Sequence, residues 1–312
     1  MKIGIDIGGT NIIIGLVNSN LDLVYKEEMP TNGHRGYEYI RDQIISSIES
    51  MIWKARELNR GIKSMGIGIP GIADVKGDTV IYSANLNWRN VPLGRDIKDK
   101  FNLPVYMEND ATVAGIAESA VGVSKGYANS VFITIGTGIG GGIIINHKVH
   151  KGSHGIGSEI GHTIVGENFY DCNCGNNGCL ETFASSKAIE NYVKMEIENG
   201  FKDTTLLNIG QNINTKSIFQ GAEKGDKLSN MAVDRMTKYL AIGIVNIINI
   251  IDPDIIVLGG GVAKAGDFLL KRVREQLSKF ILYKEIKYGK IELAKLGNDA
   301  GVIGAAMLEE YN

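Results

Sequence analysis

The sequence has few cysteines, few prolines and no long apolar run. It contains 3 cysteines and 5 prolines in 312 residues. Its longest apolar stretch, residues 240–251, is interrupted by Asn246 and Asn249 and falls short of the roughly 20 apolar residues of a membrane span. The N-terminus, MKIGIDIGG, has neither the apolar core nor the small-residue cleavage site of a secretory signal. These absences predict a cytoplasmic protein with reduced thiols and no disordered spacer.

The charge balance gives no reason to expect nucleic acid or an anionic membrane as a partner. The formal net charge is -2, and hydrophobic and charged residues make up 44% and 22% of the chain, as in soluble globular proteins. The length is sufficient for two domains. The 40 glycines are clustered, which indicates tight backbone turns near ligands rather than a flexible linker.

The apolar pattern predicts an α/β protein. Residues 2–29 have the pattern of a three-stranded meander, and residues 36–59 repeat apolar side chains at helical spacing, with Trp53 expected to pack as part of this helix. Further strands are predicted at 64–71, 104–108, 130–150 (as a strand-turn-strand unit), 254–262 and 290–295, and further helices at 92–100, 109–121, 217–223, 230–251, 267–280 and from 299 onward. Such an alternation is typical of α/β domains.

The segment 130–150 repeats the pattern of the N-terminal hairpin. Both segments consist of a strand, a glycine- and threonine-rich turn, and a second strand. An internal duplication of this kind predicts two domains of related topology on either side of a cleft. We predict a small N-terminal domain over residues 1–120 and a larger domain over 121–298, with a C-terminal helix at 299–312 packing back on the first.

Two glycine-rich turns have the composition of phosphate-binding hairpins. In DIGGTN, residues 6–11, bare backbone N–H groups and the Thr10 hydroxyl are available to phosphate oxygens, and Asp6 could hold Mg²⁺ through water. The second turn, TIGTGIGGG, occupies residues 134–142. The alternative for each is a plain β-turn. A triple glycine at 259–261 would let the chain approach a flat adenine, or would simply begin a helix.

Glu108-Asn109-Asp110 lies between a predicted strand and a predicted helix. The Asp110 carboxylate could take the proton of an attacking hydroxyl, and Asn109 could bind a neighbouring hydroxyl. The alternative is helix capping, for which Asn and Asp are favoured residues. An ordinary Asp, with a pKa near 3.9, is a weak base, so its contribution would be to orient the hydroxyl and accept the proton late.

All three cysteines fall within one short motif. Cys172, Cys174 and Cys179 form a compact knuckle with interspersed glycines, and His162 precedes it by ten residues. Three thiolates and one imidazole make a closed tetrahedral Zn²⁺ site, which is structural because no coordination position remains for water. Three free buried thiols are the alternative. With metal bound, the flanking glutamates at positions 159 and 181 would be held as acceptors for sugar hydroxyls; alternatively, they are ordinary surface charges.

The loop Ser83-Ala84-Asn85-Leu86-Asn87-Trp88 combines amides with an aromatic ring, a composition common in loops that face sugars. A loop whose tryptophan is anchored in the core is an equally good interpretation.

Six motifs, in their order along the chain, resemble those of the ROK family of sugar kinases, and most of all its bacterial glucokinases. They are DIGGTN at 6–11, END at 108–110, TIGTGIGGG at 134–142, EIGH at 159–162, CNCGNNGCLE at 172–181 and LGGGVA at 258–263. The cysteine motif with its preceding EIGH is highly specific, whereas DIGGTN is shared with other actin-like ATPases. One difference is Asn87, where many glucokinases of the family carry a glycine before the tryptophan.

The resemblance implies an actin-like (ribonuclease H-like) α/β fold of two domains, with ATP and Mg²⁺ in the cleft, and an assembly of two or four chains. It implies Asp110 as the catalytic base and a structural Zn²⁺ on His162, Cys172, Cys174 and Cys179. The sugar-binding residues would be Asn85, Asn109, Asp110, Glu159, His162 and Glu181. The predicted cofactor-binding residues are Asp6, Gly8, Gly9, Thr10, Asn11, Thr137, Gly138, Gly260 and Gly261.

We therefore predict an ATP-dependent kinase for the 6-hydroxyl of a hexose, with glucose as the preferred sugar. The alternatives are a kinase for N-acetylmannosamine, mannose, fructose or allose, and a non-catalytic sugar-sensing regulator of the same family. Such regulators carry a helix-turn-helix segment ahead of the first phosphate-type strand. Because that strand begins at Lys2 here, the kinase is the favoured prediction.

Overall fold

Strands and helices alternate along the chain, as predicted. The structure is a computed structural model that describes residues 1–312 apart from the side chains of Gln211 and Asn298. Its first elements are β1 (Lys2–Ile7), β2 (Asn11–Val17), β3 (Leu23–Pro30), α1 (Tyr37–Glu57), β4 (Met65–Ile69), β5 (Ile72–Ala73), β6 (Val80–Ser83), β7 (Trp88–Val91), α2 (Leu93–Phe101), β8 (Val105–Asn109) and α3 (Asp110–Ala120).

The remaining elements include two helices that the sequence pattern did not reveal. They are β9 (Ser130–Ile135), β10 (Ile139–Ile145), β11 (Lys148–Val149), α4 (Glu181–Ala184), α5 (Ser186–Glu198), α6 (Thr215–Glu223), α7 (Lys227–Ile251), β12 (Ile255–Gly259), α8 (Asp267–Phe280), β13 (Lys290–Leu293), α9 (Ala300–Ala306) and α10 (Leu308–Tyr311). Helices α4 and α5 were missed. None of the described helices combines the length and apolar character needed to span a membrane.

Two five-stranded sheets have the same strand order. The first is β3-β2-β1-β4-β8 and the second is β11-β10-β9-β12-β13, while β5, β6 and β7 form a small separate sheet. In the first sheet β1 pairs antiparallel with β2 and parallel with β4, and β4 pairs parallel with β8. In the second sheet β10 pairs antiparallel with β11, and β12 pairs parallel with β13. Both large sheets thus combine antiparallel and parallel pairings in the same strand order, which agrees with the predicted α/β class and the repeated hairpin.

The chain folds into two compact units that interleave along the sequence. One unit consists of Met1–Phe132, Gly142–Ser158 and Lys295–Asn312, and the other of Ile133–Gly141 and Glu159–Ala294. The sequence prediction used one boundary after residue 120 and returned only residues 299–312 to the first domain. In the structure residues 121–132, 142–158 and 295–298 also belong to the first unit.

Helix α1 covers the first sheet with one apolar face. Its buried side chains follow each other at three- and four-residue steps and are Ile40, Ile44, Ile48, Met51 and Ala55. They share one hydrophobic cluster with the isoleucines of β1 and β2. Trp53 lies outside this face, is 55% exposed, and has the Lys54 ammonium 4.6 Å from its ring centre. The prediction that Trp53 packs as part of this helix was wrong, because steps of three and four from Met51 do not reach it.

The C-terminal helix α9 packs directly on the first sheet. Gly4 on β1 and Gly66 on β4 make this possible, since a β-carbon at either position would overlap the backbone carbonyls of Val302 and Ala305. Glycine is required here for close approach rather than for an unusual φ angle. The helix thereby comes to rest beside the strands whose ends carry the candidate site.

Candidate active site

Asp6 and Glu108 lie opposite the same residue of β4. In the two parallel pairings, Asp6 is aligned with Gly68 and Gly68 is aligned with Glu108. Because neighbouring strands are about 4.8 Å apart, the two acidic positions are separated by roughly 10 Å at the same level of the sheet. Parallel strands end at one edge, so the turn after β1 and the Asn109-Asp110 step after β8 lie along that edge, where α/β proteins bind ligands.

The first glycine turn is held from behind and leaves its tip exposed. The Gly8 N–H donates to the Asn11 carbonyl at 2.9 Å, the Thr31 hydroxyl donates to the Gly8 carbonyl at 2.7 Å, and the Thr31 N–H donates to the Thr10 carbonyl at 2.7 Å. Gly9 and Thr10 are exposed. A rigid turn with an open tip is suited to accepting phosphate oxygens on its N–H groups.

Asn11 differs from its neighbours in this turn because its side chain is engaged by the next strand. Its amide donates to Glu28 Oε1 at 2.7 Å, in line with the antiparallel pairing of β2 and β3. The residue therefore contributes to the turn at least through the backbone carbonyl that closes it.

Asp6 is a largely buried carboxyl group at the end of β1. Burial raises its pKa to about 6. Gly301, at the start of α9, closes the space beside it, since a β-carbon at Gly301 would overlap the Asp6 carboxylate. At neutral pH the group is mostly ionised, and a desolvated anion of this kind attracts a cation strongly.

The Asn109 side chain fixes the start of α3. Its Oδ1 accepts the N–H groups of Ala111 at 2.9 Å and Thr112 at 3.3 Å, and its Nδ2 donates to the Gly71 carbonyl at 3.1 Å. Asn109 is thus the N-cap, and Asp110 is the first helical residue, with its Oδ1 2.8 Å from the Ala111 nitrogen. Capping by Asn109 holds Asp110 in place at the strand edge.

The loop after β6 places Asn85 beside the first glycine turn. A β-carbon on Gly9 would lie 3.7 Å from Asn85 Cβ, and both residues line a cavity of about 700 Å³. Asn85 is exposed, whereas Trp88 is only 2% exposed and meets the Tyr37 ring edge-on at 5.4 Å. Of the two interpretations of this loop, the structure supports the one in which Trp88 is anchored in the core. The anchored Trp88 leaves Asn85 at the surface.

Asn87 accounts for the one difference from the glucokinase pattern. Its φ angle is 54°, in the left-handed region. Glycine adopts this conformation freely, and asparagine tolerates it better than most other residues. The backbone conformation that a glycine would adopt is therefore compatible with Asn87.

In the second unit, the glycine turn between β9 and β10 is tied to Glu181, the last residue of the cysteine motif. The Ile139 N–H donates to Glu181 Oε2 at 3.0 Å, and the Gly136 N–H donates to the Gly138 carbonyl at 2.9 Å. The Gly136 carbonyl in turn accepts the Ser186 N–H at 2.8 Å. Glu181 therefore supports the turn that contains Thr137 and Gly138.

A cavity of about 820 Å³ lies beside this turn. Thr137 and Gly261 line it, together with residues from α5 and α6 that the sequence did not reveal, among them Glu190, Thr215 and Phe219. Glu190 accepts both the N–H and the hydroxyl of Thr215 at 2.8 Å. The Asn214-Ser217 capping box that starts α6 is a local sequence signal for this wall, whereas no local pattern indicates Glu190.

Gly260 borders the same region in a conformation that requires glycine. Its φ angle is +83°, and a β-carbon would overlap the backbone of Ile135 on the neighbouring strand. The chain can therefore pass close to β9 after β12 ends.

The four predicted metal donors come together in the structure. Their ligand atoms all lie within 4.8 Å of one another, with Cys172 Sγ 3.6 Å from His162 Nδ1 and Cys174 Sγ 3.5 Å from Cys179 Sγ. A tetrahedral Zn²⁺ ion, with bonds of about 2.3 Å to sulfur and 2.0 Å to nitrogen, separates its ligands by roughly 3.5 to 3.8 Å. The donor set and its spacing fit such an ion.

The thiols differ in acidity. The N–H of Asn176, more than any other group, lowers the pKa of Cys174 to about 7, whereas burial raises that of Cys179 to about 12. Burial also raises the pKa of Cys172. Three clustered thiols cannot all ionise without a cation between them, so the cluster is electrostatically suited to a metal ion.

Glu159 lies next to His162, one of the predicted metal donors. Its Oε2 is 3.9 Å from His162 Nε2, while Nδ1 faces Cys172. A carboxylate near the second ring nitrogen is the usual way in which a metal-ligating histidine is oriented. Glu159 and His162 are thus held on the same short 3₁₀ turn, with Ile160–His162 as its helical residues.

Arg235 on α7 anchors the loop that carries the cysteines. Its Nη2 donates to Asn168 Oδ1 at 2.7 Å, and its guanidinium lies 4.8 Å from the Phe183 ring centre and 5.7 Å from that of Phe169. Asn168 also donates to the Thr182 carbonyl at 2.7 Å. Aromatic faces and one polar contact hold this cation, so the knuckle is fixed to the helical core.

The chain belongs to the ROK family. A sequence profile of that family matches residues 2–311. A glucokinase from Halalkalibacterium halodurans is 33% identical over 309 residues, which is 98% of this chain and 94% of the relative. A xylose repressor from Caldicellulosiruptor bescii is 33% identical over 306 residues, covering 97% of this chain and 76% of the repressor.

A solved structure has the same fold. The crystal structure of a ROK family glucokinase from Streptomyces griseus, in complex with glucose and AMPPNP, superposes with a TM-score of 0.80 at 31% identity and covers 98% of each chain. Together with the two sheets of equal strand order, this match confirms the predicted family and the predicted actin-like fold class.

Proposed function

We propose that this protein is an ATP-dependent hexokinase that phosphorylates the 6-hydroxyl of glucose. The observation that carries the proposal is Asp110, held as the first residue of α3 by the Asn109 cap, in a chain that has a glucokinase among its relatives. A carboxylate fixed at the carboxyl edge of a parallel sheet is in the right environment to act on a bound hydroxyl.

In the proposed reaction, the Asp110 carboxylate accepts the proton of the sugar 6-hydroxyl. The hydroxyl oxygen forms a bond to the γ-phosphorus of ATP, and the bond from that phosphorus to the β,γ-bridging oxygen breaks, so ADP leaves with the electron pair. Because the transition state is loose, the hydroxyl needs orientation more than strong deprotonation. Asn109 supplies part of that orientation by fixing Asp110.

The nucleotide is assigned to the glycine turns. The exposed tip at Gly9 and Thr10 supports phosphate binding in the first unit, with Gly8 and Asn11 forming its base and Asp6 available to a hydrated cation. In the second unit Thr137, Gly138, Gly260 and Gly261 are assigned to the nucleotide, and the cavity beside Thr137 supports this. Mg²⁺ bound with ATP would neutralise charge on the β- and γ-phosphates.

We assign a structural Zn²⁺ to His162, Cys172, Cys174 and Cys179. The spacing of the four donors supports this assignment. When bound, the ion would crosslink the knuckle to the 3₁₀ turn that begins after Glu159, with no open position for water. Its contribution is to hold protein groups in place rather than to act on phosphate.

We assign the sugar to hydrogen-bond acceptors and donors on short segments that other residues hold in place. The proposed residues are Asn85, Asn109, Asp110, Glu159, His162 and Glu181. Asn85 is presented by the buried Trp88, and Glu181 is held by the Ile139 N–H. Sites that hydrogen-bond sugar hydroxyls discriminate strongly, because a missing hydroxyl leaves a buried polar group unpaired.

The direct test is a coupled ATP-consumption assay over glucose, mannose, fructose, allose and N-acetylmannosamine, with wild type and Asp110→Asn. We expect the highest kcat/KM with glucose, and at least about a 100-fold loss of kcat in Asp110→Asn with glucose binding retained in calorimetry, since general base catalysis contributes roughly 10² to 10⁴. Appreciable turnover by Asp110→Asn would overturn the base assignment. A preference for another hexose would replace glucose as the substrate.

A second candidate is a sugar-responsive repressor, which the similarity to the xylose repressor favours. A repressor would bind its sugar without turnover in the same assay. Xylose binding in calorimetry together with no hexose phosphorylation would favour this candidate over the kinase.

We also propose that the enzyme works in the reducing cytoplasm as a dimer or tetramer. A site of three thiolates requires reduced cysteines. Light scattering after size-exclusion chromatography that returned the mass of one chain would contradict the oligomer.

A further inference from the structure

Lys151 forms an ion pair with Glu108, the residue two positions before the proposed base. Lys151 Nζ lies 3.3 Å from Glu108 Oε2, and the two side chains are only 18% and 10% exposed. Both residues belong to the first unit. No motif in the sequence indicated Lys151, which follows β11 in a glycine-rich loop.

Glu108 is fixed at both carboxylate oxygens. Its Oε1 accepts the backbone N–H of Asn109 at 3.0 Å, while Oε2 faces Lys151. The same Asn109 caps α3 with its side chain. The position of the Asn109 backbone, and therefore of Asp110 after it, thus depends directly on the orientation of Glu108.

Lys151 is itself held by a closed turn. Its carbonyl accepts the Gly157 N–H at 2.9 Å, and a β-carbon on Gly157 would lie 2.8 Å from the Lys151 carbonyl carbon. Gly152 has a φ of +68°, which lets the chain reverse immediately after the lysine. The ammonium is therefore brought to Glu108 by a constrained segment and not by a freely moving surface side chain.

A mostly buried carboxylate is tolerated when a cation compensates it, and it is strongly unfavourable when that cation is removed. Without Lys151, Glu108 would either turn toward water or another donor, or stay in place as an uncompensated negative charge two residues from Asp110. Either outcome would disturb the strand end from which Asn109 and Asp110 project.

We infer that Lys151 and Glu108 are a positioning pair for the base of the reaction: the ammonium fixes Glu108, and Glu108 fixes the Asn109 backbone and so the placement of Asp110. This inference rests on the proposed kinase function. It predicts that the pair affects turnover more than sugar affinity. It also predicts that the two residues act as a unit, because two neutral side chains can replace a buried ion pair, whereas one charged side chain left without its partner is strongly unfavourable.

The test is a kinetic cycle of Lys151→Met, Lys151→Arg, Glu108→Gln and the double variant Glu108→Gln/Lys151→Met, with Lys76→Met as an exposed lysine control in the same unit. The kcat and the KM values for glucose and ATP are measured at a temperature where circular dichroism shows each variant folded. Glutamine at 108 keeps an oxygen that can accept the Asn109 N–H, so it removes the charge without removing that bond.

We expect Lys151→Met to lower kcat at least tenfold while the KM for glucose changes less than threefold. Lys151→Arg and the double variant should stay within threefold of wild-type kcat, and Lys76→Met should match wild type. If Lys151→Met does not fold, Lys151→Arg and the double variant still carry the test, because both must fold and turn over.

Three results would overturn the pair. They are a Lys151→Met kcat within twofold of wild type, a double variant whose loss equals the product of the two single losses, and an effect confined to KM. In each case wild type remains active and the proposed function stands. A wild type that phosphorylates no hexose would instead overturn the proposed function and, with it, the pair.

Discussion

Glu181 Oε2 accepts the backbone N–H of Ile139 at 3.0 Å, so the last residue of the cysteine motif supports the second glycine turn. The other carboxylate oxygen, Oε1, lies 3.7 Å from Cys172 Sγ. One side chain therefore touches both the metal-donor cluster and the turn that contains Thr137 and Gly138. Any change in the cluster can reach the turn through this carboxylate.

The first prediction separates the two roles of Glu181. Glu181→Gln keeps an oxygen for the Ile139 N–H but loses the charge, whereas Glu181→Ala loses both. We expect the KM for glucose to rise at least tenfold in both variants, since a charged hydrogen bond is worth about 1.5 to 3 kcal/mol. The KM for ATP should rise only in Glu181→Ala. Steady-state kinetics with each substrate varied, and the exposed Glu167→Gln as control, test this; equal ATP effects in both variants would refute the anchoring role.

The second prediction concerns the metal. Because the three cysteines of the chain all belong to the cluster, thiol titration reports directly on its occupancy. We expect about one equivalent of zinc per chain, close to no reactive thiol before chelation and three after it, and a lower melting temperature without metal, since binding free energy contributes to folding. Elemental analysis and titration of the same sample measure this. Three reactive thiols in freshly purified protein without metal would contradict it.

The third prediction follows from the buried Asp6. Its pKa rises from 3.8 to about 6 in the folded protein, so the folded state binds the proton more tightly than the unfolded state does. The contribution of Asp6 to the free energy of unfolding is therefore fully present below about pH 4. This contribution is lost as the pH rises toward 6, and the total loss is about 3 kcal/mol. The asparagine in Asp6→Asn cannot titrate. The free energy of unfolding of Asp6→Asn minus that of wild type should therefore increase as the pH rises from 4 to 6.

Urea unfolding of wild type and Asp6→Asn at pH 4, 5, 6 and 7 measures this difference. Asp99→Asn, at an exposed position, controls for the removal of one carboxylate. Parallel curves for wild type and Asp6→Asn would show that Asp6 does not contribute this linkage.

The fourth prediction tests the backbone at Asn87. With φ at 54°, Asn87→Gly should change the free energy of unfolding by less than about 0.5 kcal/mol, whereas Asn87→Val should cost about 1 to 2 kcal/mol because a β-branched residue is strained in the left-handed region. Thermal unfolding distinguishes them. A valine variant as stable as wild type would mean that the loop relaxes to another conformation.

Local sequence patterns predicted much of the architecture. The meander over β1 to β3, the buried face of α1 and the spacing of the three cysteines all depend on residues near each other in the chain, where periodicity and turn composition are informative. Helix α5 was missed although Ser185 caps it through the Ala188 N–H. Strand β5 has two residues, and its partner strands are also short, so the apolar alternation of a β-strand could not be recognised in the sequence.

Other features were left open because two structures fit the same residues. Both a cap and a hydroxyl ligand suit Asn109; the structure shows the cap, and the hydroxyl contact stays a prediction. Trp88 could have faced a sugar or the core, and it is in the core. In each case the choice depends on what packs against the side chain, which the local sequence does not contain.

By itself the sequence determined the family, the α/β alternation and the set of four predicted metal donors that the structure brings together, because each rests on residue types at short, characteristic spacings. Only the tertiary structure decided which distant groups meet. It brought Lys151 to Glu108 across a glycine turn, and it buried Asp6 against α9 near the far end of the chain. Such pairings arise from packing of the whole chain, in which burial and electrostatic compensation are satisfied together, and no local propensity encodes them.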